Sequence, residues 1–312
     1  MEVSVVERVH QRVREGGLLP PGTQVVVLLS GGRDSVCLLD VAATLLGAGA
    51  VTALHVNYGL RDEADAEQAA CTSLCAALRV GLEVERAPRP EDAGNLQAWA
   101  RDLRYAAGAR LASGADTVLA SAHTQSDQVE TILYRLASSP GRRALLGMEP
   151  RSGRLVRPLL DTTRDETTAY CTARGLPFVD DPGNDTDEFA RGRVRNGLVP
   201  ALRSLHPAAE RNVLRTAAQL REEAAVLDTV VHTALDGRRD ITVEHLRALP
   251  PALGRLVLRR LAEETTGALC ARAAGRLPDV LALGEGALDL GDGARAVVRG
   301  GVLRVERTPP LA

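Results

Sequence analysis

The sequence predicts an α/β protein: a parallel, doubly wound sheet followed by a helical linker and a small C-terminal α+β region. Two kinds of segment alternate in its first half, with strand-like runs at residues 24–29, 51–57, 82–86 and 117–122 and helical patterns near 35–46, 63–79, 96–112 and 127–138. Such alternation is typical of a parallel sheet that helices cover on both faces. At 312 residues the chain also exceeds what one hydrophobic core usually organises. We therefore expect a first domain over residues 1–205 and an accessory region over residues 206–312.

The segments after residue 150 complete this plan. An apolar run at 155–160 precedes a helical pattern at 163–174, and both extend the first domain. A long helix rich in alanine and arginine is predicted at 208–235, followed by a shorter one near 253–263. Residues 287–307 alternate apolar and polar side chains around glycine-containing turns, which predicts a small antiparallel meander.

Composition limits the classes of partner. The formal net charge is −2, so the chain as a whole does not attract nucleic acid. Residues 189–221 are the exception, because they contain seven arginines and a single acid, Glu210. Aromatic residues make up only 2% of the chain, which argues against a protein that stacks bases on aromatic rings. Any contact with RNA is therefore expected to depend on arginine.

Cysteine usage and hydropathy indicate a cytoplasmic protein. The five cysteines are an odd number without a C-x-x-C pair, which fits a reducing compartment. No apolar run approaches the roughly 20 residues of a membrane span, and residues 1–15 alternate charges with valines, unlike a signal peptide. For the oligomeric state a homodimer is the default expectation, since symmetric dimers are the commonest oligomers.

The strongest chemical signal follows the first predicted strand. It is the loop made of Ser30, Gly31, Gly32, Arg33, Asp34 and Ser35, which leads into a helix. Its glycines let backbone N–H groups approach an anion closely, and its serine hydroxyls add donors where the helix dipole is positive. A Walker A loop is excluded because it needs a lysine, and all 38 basic residues of this chain are arginine. We expect a polyphosphate here; the alternative is a glycine-rich turn without a ligand.

A second polar segment lies where the fourth predicted strand gives way to a helix. Asp127 and Glu130 are three residues apart, so both carboxylates face the same side of that helix and could bind a cationic amine or Mg²⁺. The alternative is structural, with Asp127 as an acid of the first helical turn and Glu130 as its capping partner. His123 taken alone is more often a hydrogen-bonded histidine than a catalyst.

A third segment, on the helix predicted at 96–112, offers basic groups. Arg101 and Arg104 are three residues apart and share a helical face. An arginine in this position could neutralise a phosphate. Alternatively, both arginines could solvate an exposed face beside Asp102.

The order of these and further motifs resembles the tRNA(Ile)-lysidine synthetase family over residues 20 to about 220. The matching positions are the SGGxDS loop at 30–35, then His55, Asn57 and Arg61, then Asn95, Arg101, Arg104 and Tyr105, then His123, Asp127, Gln128, Glu130 and Thr131, the RPLL run at 157–160, then Asp181, Pro182 and Asn184, and finally Phe189, Arg191, Arg193 and Arg195. Four positions depart from the family pattern, namely Tyr58, Thr124, Ser126 and Gly192. Catalytic roles are therefore not carried over to Thr124 or Ser126.

The resemblance implies a fold of the PP-loop ATP-pyrophosphatase type (adenine nucleotide alpha hydrolase-like) and a reaction. Members of this family ligate free L-lysine to C2 of the wobble cytidine in a tRNA(Ile) with a CAU anticodon, using ATP and Mg²⁺. By this resemblance residues 30–35 bind ATP, Asp34 also holds Mg²⁺, and the catalytic residues are Asp34, Arg104, Asp127 and Glu130. Substrate binding is assigned to His55, Asn57, Arg61 and His123, and binding of tRNA phosphates to Arg191, Arg193 and Arg195.

Three other functions remain open at this point. A tRNA thiolase of the same superfamily shares the first loop but needs reactive cysteines, and none of the five lies in a C-x-x-C pair. A synthetase that amidates a small molecule, such as an NAD or GMP synthetase, shares the loop but not the arginine-rich segment 189–221. The non-enzymatic alternative is an RNA-binding protein with a vestigial nucleotide loop, which ATP turnover would exclude.

Overall fold

The computed structural model describes residues 3–59, 63–87, 96–139, 141–179 and 190–309. The chain divides into two compact units, residues 1–218 and residues 219–312. Several motif positions lie outside the described residues, namely Arg61, Asn95, Asp181, Pro182, Asn184 and Phe189. Within the described ranges, no helix is both long and apolar enough to cross a membrane.

A six-stranded sheet organises the first unit. Its strands are β1 (Gln24–Leu28), β2 (Val51–Asn57), β3 (Gly81–Arg86), β4 (Thr117–Ala120), β5 (Arg151–Ser152) and β6 (Leu155–Val156). Their spatial order is β3-β2-β1-β4-β6-β5, and all neighbours are parallel except β5 and β6. The chain builds outward from β1 in one direction and then returns to place β4 on its other side. A crevice therefore opens at the carboxyl ends of β1 and β4, where ligands bind in sheets of this kind.

Helices cover both faces of this sheet. They are α1 (Val5–Glu15), α2 (Arg33–Leu46), α3 (Ala64–Leu78), α4 (Leu96–Leu111), α5 (Gln125–Ser138), α6 (Arg142–Leu145), α7 (Arg164–Arg174), α8 (Ala190–Arg193) and α9 (Val199–Leu205), and a π-helical turn at Val194–Leu198 joins the last two. Side chains alternate along β1: Val25 and Val27 enter the core formed with α1, α2, α3 and α7, whereas Val26 and Leu28 enter the core formed with α4. Both faces of β1 are thus buried, as expected for a central parallel strand.

The predicted alternation of strands and helices is confirmed, and the differences are local. β4 ends at Ala120 because the chain turns from there toward Thr124, the N-cap of α5. In the apolar run at 155–160 only the first two residues pair, since Pro158 lacks an N–H group to continue the ladder. Helix α1 was not predicted; Ser4 and Glu7 form a capping box at its start.

The second unit contains a four-stranded antiparallel sheet. Its strands are β7 (Asp240–Thr242), β8 (Gly286–Gly291), β9 (Ala294–Arg299) and β10 (Val302–Arg307), in the order β7-β10-β9-β8. The predicted meander is therefore confirmed, with β7 as an additional edge strand. The helices are α10 (Ala209–Leu235), which runs across the boundary between the units, α11 (Val243–Ala248), α12 (Pro251–Thr266) and α13 (Leu277–Ala282). Apolar residues of α12 and of β9 share one buried core.

A buried polar network holds α7 against α2. The hydroxyl of Tyr170 donates to Asp40 Oδ2 (2.7 Å), and Arg174 donates two hydrogen bonds to the same carboxylate (2.9 and 3.1 Å). Because the Tyr170 hydroxyl donates to Asp40, its oxygen accepts from His10 Nε2 (2.8 Å) of α1. These contacts hold the last turn of α7 against the middle of α2.

Candidate active site

A cleft of about 600 Å³ opens at the carboxyl ends of the parallel strands. It is lined by the loop after β1, by Tyr58 after β2, by Arg104 and Tyr105 of α4, and by residues 121–123 after β4. Arg164 at the start of α7 and Arg195 in the π-helical turn complete the lining. The volume suits a nucleotide-sized ligand, and the wall is rich in charged side chains.

The loop at 30–35 is held in shape by its own serines. Ser35 Oγ donates to the carbonyl of Gly32 (2.8 Å) and accepts from the backbone N–H of Ser30 (3.2 Å). Gly31 has φ +85°, and a Cβ there would lie 3.3 Å from Cys71 Sγ. A side chain at this position would therefore be strained and crowded, which explains the glycine. Gly32 is the N-cap of α2, so the positive end of that helix points into the cleft.

Asp34 lies in the first turn of α2 and is linked to α7. The hydroxyl of Thr167 donates to Asp34 Oδ1, and Nε of Arg164 lies 3.9 Å from Asp34 Oδ2. Burial raises the pKa of Asp34 above its ordinary value, and the charge of Asp127 acts in the same direction. The hydrogen bond from Thr167 and the charges of Arg164 and Arg33 lower the pKa but offset this rise only in part. A cation near Asp34 would lower this pKa again.

Five side chains form what we call the carboxylate network: Asp34, Asp127, Glu130, Arg164 and Arg195. Arg195 donates to both oxygens of Glu130 (2.7 and 3.0 Å), a bidentate pair. Arg164 lies between all three acids, 3.4 Å from Asp127 and 3.6 Å from Glu130 in addition to its contact with Asp34. With all three carboxylates ionised, two guanidinium groups leave the network with one net negative charge.

Asp127 has the structural role that the sequence left open, and it also lines the cleft, where binding of an amine or Mg²⁺ stays a prediction. Its Oδ2 accepts from the backbone N–H and from the hydroxyl of Thr124 (2.8 Å each), so it caps α5. Its Oδ1 faces Arg164 and the cleft. Burial alone would raise the pKa of Asp127, but the hydrogen bonds from Thr124 and the charge of Arg164 outweigh it and lower that pKa. Glu130 is not its capping partner, because it pairs with the two arginines.

His123 lies in the cleft as a neutral side chain. Burial lowers the pKa of His123 to about 4, and the charges of Arg157, Arg191 and Arg101 act in the same direction against that of Asp127. Its Nδ1 lies 2.9 Å from Ser121 Oγ. At neutral pH the imidazole therefore offers hydrogen bonding without charge.

His55 and Asn57, which the resemblance assigns to substrate, support the second loop. His55 is buried and its Nδ1 lies 3.0 Å from the carbonyl of Leu29, so this nitrogen carries the proton. The amide of Asn57 donates to Asp65 and Gln68 and accepts from the backbone N–H of Gly59. Neither residue lines the cleft, whereas the neighbouring Tyr58 does.

The predicted arginines take up three kinds of position. Arg104 lines the cleft, and its buried Nε has no hydrogen-bond partner among the described residues. Arg195 belongs to the carboxylate network. Arg191 donates to Thr131 Oγ1 (3.3 Å) and is exposed, as is Arg193.

Sequence reasoning missed Arg164 and Thr167 at the start of α7. Both approach Asp34, although they lie more than 120 residues further along the chain. The available signal was Thr163, whose side chain accepts from the N–H of Glu166 in a capping box. That box marks a helix start directly after the RPLL run, but it does not reveal what the helix start contacts.

Comparison with known proteins agrees with the geometry. The profile of the PP-loop domain, an ATP-binding family, matches residues 1–202. A tRNA(Ile)-lysidine synthase of Salinispora tropica is 38% identical over 307 residues, which cover 91% of this chain and 91% of that protein. The enzyme of the same name from Pseudomonas fluorescens is 38% identical over 216 residues, which cover 67% of this chain.

The solved structure of the U34-tRNA thiolase NcsA from Methanococcus maripaludis superimposes with a TM-score of 0.59 at 17% identity, covering 70% of this chain and 79% of that one. This likeness concerns the fold alone. Relatives differ in length: the matched region is 48% of the Pseudomonas fluorescens protein and 61% of a relative from Dehalococcoides mccartyi. From the profile match and the identity over most of its length, the chain belongs to the PP-loop domain family and, within it, to the tRNA(Ile)-lysidine synthase family.

Proposed function

We propose that the protein is a tRNA(Ile)-lysidine synthetase. It joins free L-lysine to C2 of the wobble cytidine of a tRNA(Ile) with a CAU anticodon, consumes ATP, releases AMP and pyrophosphate, and so changes decoding from AUG to AUA. The observation that carries this proposal is the carboxylate network beside the loop at 30–35, since four of its five members line the same cleft as that loop. A site with one uncompensated negative charge adjoins a site suited to polyphosphate, as a reaction between a cationic amino acid and ATP requires.

The first step activates the base. Oxygen at C2 of the cytidine attacks the α-phosphorus of ATP, the bond to pyrophosphate breaks, and C2 then bears AMP as a leaving group. Backbone N–H groups of the loop and the positive end of α2 stabilise the negative charge of the phosphates. Arg104, which also lines the cleft, adds a cation.

Magnesium fits this cleft as a companion of ATP. Among the described residues there is no group of three or more His, Cys, Asp or Glu side chains that could hold a metal ion by themselves. Mg²⁺ is usually held by one or two carboxylates together with substrate phosphates, and Asp34 is the carboxylate next to the loop. When bound there, the ion neutralises charge that develops on the departing pyrophosphate.

The second step uses the carboxylate network. Asp127 and Glu130 hold the ammonium group of lysine, while its other amine, without its proton, attacks C2 and displaces AMP. The lowered pKa of Asp127 keeps it ionised at neutral pH, which suits an ion-pair partner better than a base. Lysine must displace the arginines that now pair with these carboxylates, or share the carboxylates with them.

Burial of the cysteines disfavours thiolation. All five cysteines are buried, and burial raises the pKa of Cys71 to about 12 and that of Cys75 to about 11. A hydrogen bond with Cys171 raises the pKa of Cys37, and burial raises it further. Sulfur transfer needs an accessible thiolate of lowered pKa, which is the opposite environment.

The decisive test is incorporation of labelled lysine into an unmodified tRNA(Ile) transcript with a CAU anticodon, in the presence of ATP and Mg²⁺. Mild alkali removes ordinary aminoacyl esters, so stable label that depends on ATP and is absent with methionine tRNA indicates lysidine. Glu130→Gln should abolish the label. The matched control is Glu85→Gln, which removes an exposed carboxylate paired with Arg110 and should retain full activity. ATP turnover without stable label would refute the proposal.

A further inference from the structure

Four arginines beside the cleft, Arg101, Arg135, Arg157 and Arg191, have no carboxylate partner among the described residues, and we call them the arginine cluster. Each uses a neutral contact instead. Arg135 donates to the carbonyl of Gly147 and Arg157 to that of Glu149 (2.6 Å each), and Arg191 donates to Thr131 Oγ1 (3.3 Å). The guanidinium of Arg101 lies 4.8 Å from the ring centre of Tyr105, a residue of the cleft wall.

The backbone at 147–149 brings two of these arginines together. Gln128 exchanges two hydrogen bonds with the backbone of Met148 (2.7 and 2.6 Å), between the carbonyls that bind Arg135 and Arg157. Three consecutive residues are thus clamped by side chains. Gly147 has φ +69°, and a Cβ there would lie 2.5 Å from Gln128 Oε1, so this arrangement requires glycine.

Arg191 joins the same group through α5. Its acceptor Thr131 lies one helical turn before Arg135 on α5. The exposure of the four side chains is graded: Arg157 is only 8% exposed, Arg135 is half-buried, and Arg101 and Arg191 are exposed. The cluster therefore reaches from the protein interior to the solvent.

This cluster is electrostatically incomplete. Nε of Arg157 is buried without a hydrogen-bond partner among the described residues. Burial lowers the pKa of Arg157 and that of Arg135, and Arg101 lowers both further, although Tyr105 and Glu149 partly offset this for Arg157. Buried cations are costly unless an anion and hydrogen bonds compensate them. A bound anion would supply both.

We propose that the arginine cluster binds a backbone phosphate of the RNA whose base enters the cleft. The planar fork of arginine matches phosphate geometry, and phosphate contacts set the register of a nucleic acid. The cluster is contributed by α4, α5, α8 and the segment after β6, whereas the loop at 30–35 and α2 are proposed to take ATP. The inference rests on the proposed function, because the RNA is the tRNA substrate named there.

The test compares two arginines of the same helix. Arg101→Gln and Arg110→Gln remove equal charge from α4, but Arg110 pairs with Glu85 outside the cleft. We expect Arg101→Gln to weaken tRNA binding about ten-fold at 0.1 M salt and to reduce the slope of log K against log salt by about one, as loss of one phosphate contact does. Arg110→Gln should change affinity less than about two-fold. Filter binding at several salt concentrations measures both.

Arg157→Gln tests the buried member, since glutamine still donates to the carbonyl of Glu149. A thermal melt establishes that the variant is folded; should it not fold, Arg101→Gln and Arg191→Gln decide the matter. Single methylphosphonate linkages next to the modified cytidine locate the phosphate. One such linkage should cost the wild type about ten-fold in affinity and cost the Arg101→Gln variant nothing further.

The outcomes separate this site from the proposed function. If Arg101→Gln and Arg157→Gln bind tRNA as well as Arg110→Gln does, the phosphate site is refuted even when lysine is incorporated normally. If these variants weaken the binding of ATP, measured calorimetrically without RNA, and leave tRNA affinity unchanged, the cluster serves the nucleotide and the proposal fails. Cluster-dependent tRNA binding without lysine incorporation supports the phosphate site and refutes the lysidine synthetase instead.

Discussion

The carboxylate network, most of which lines the cleft, and the arginine cluster beside the cleft differ in how their charges are compensated. In the carboxylate network every acid faces a guanidinium group, and Glu130 accepts a bidentate pair at 2.7 and 3.0 Å. In the arginine cluster the cations contact carbonyls, a hydroxyl and a ring. Helix α5 connects the two regions, with Asp127 in its first turn and Arg135 in its last, as the helix dipole favours.

We interpret the difference as one between ion pairs that stabilise the fold and charges that the proposed phosphate would compensate. In the carboxylate network each acid already faces a guanidinium group, although one negative charge stays in excess. The network therefore contributes to folding before any ligand arrives, and a cationic substrate must compete with arginines already in place. Within the part of the chain that the structure describes, the arginine cluster lacks such ion pairs and would gain its counter-ion from the proposed phosphate. Substitutions in the network should therefore change stability as well as activity, whereas substitution of an exposed member of the cluster, such as Arg101, should change binding alone.

Removal of Glu130 should have the largest effect. Glu130→Ala leaves Arg195 without its bidentate partner in a buried site, and breaking such pairs costs about 3–5 kcal/mol of unfolding free energy. Lysine incorporation should be lost as well. Urea unfolding measures the first effect. In the control, Glu85→Ala breaks an exposed pair and should cost about 0–1 kcal/mol. Equal losses of unfolding free energy in the two variants would show that the pair between Glu130 and Arg195 stabilises the fold no more than the exposed pair between Glu85 and Arg110 does.

Asp34→Asn should separate activity from stability. Burial raises the pKa of Asp34, so the protonated carboxyl stabilises the folded state fully when the pH is below 3.8, the ordinary pKa of the group. This stabilisation is lost as the pH rises through the raised pKa of the folded protein. The neutral amide avoids this loss, so the melting temperature at pH 7 should rise by about 2–4 °C. Activity should fall about 100-fold or more, since a carboxylate beside the phosphates is missing.

The pH dependence provides the control for this variant. The gain in melting temperature should shrink as the pH falls toward 3.8, where the wild-type carboxyl is itself protonated. A gain that is constant with pH would indicate a packing effect unrelated to ionisation. A lower melting temperature at pH 7 would show that the pair with Arg164 outweighs burial.

Arg164→Gln tests the carboxylate network by removing one of its two guanidinium groups. The substitution takes the net charge of the ionised network from one to two negative charges. We expect the KM for lysine to fall about three- to ten-fold at low salt, because one competing guanidinium is gone, and the effect to shrink at high salt. The Arg110→Gln variant controls for the change in total charge. An increase in the KM for lysine would mean that Arg164 helps to bind lysine or to hold the acids in place.

Local patterns were sufficient to predict the sheet and the loop. The alternation of β-branched runs with helical periods predicted β1 to β4 and α2 to α5 within a few residues, because each element carries its own periodicity. The glycine pair and serines of the loop at 30–35 likewise act through contacts within six residues. Neither feature needs knowledge of distant parts of the chain.

The pairing of charges could not be predicted in this way. Glu130 and Arg195 are 65 residues apart in sequence, and nothing local distinguishes Arg195 from Arg193, which is exposed. The resemblance assigns Arg195 to tRNA phosphates, and in the structure it faces a carboxylate. Arg135 and Arg157 bind the backbone carbonyls on either side of Met148, whose own backbone is held by Gln128. Such contacts are set by tertiary packing, which a single sequence does not display.

The smallest expected effect concerns His123, which lies between the two regions. Since its pKa is lowered to about 4, it stays neutral from pH 5.5 to 8, and lysine incorporation should show no inflection from this residue there. Because the pKa of His123 is lowered on folding, its neutral side chain contributes fully to stability when the pH is above 6.5, the ordinary pKa of histidine. This contribution is lost as the pH falls toward 4. His123→Asn should therefore lose less melting temperature than the wild type between pH 6.5 and 4. Equal losses, or a wild-type inflection near pH 6.5 that the variant lacks, would place His123 in a more exposed setting and would weaken the case for cationic neighbours.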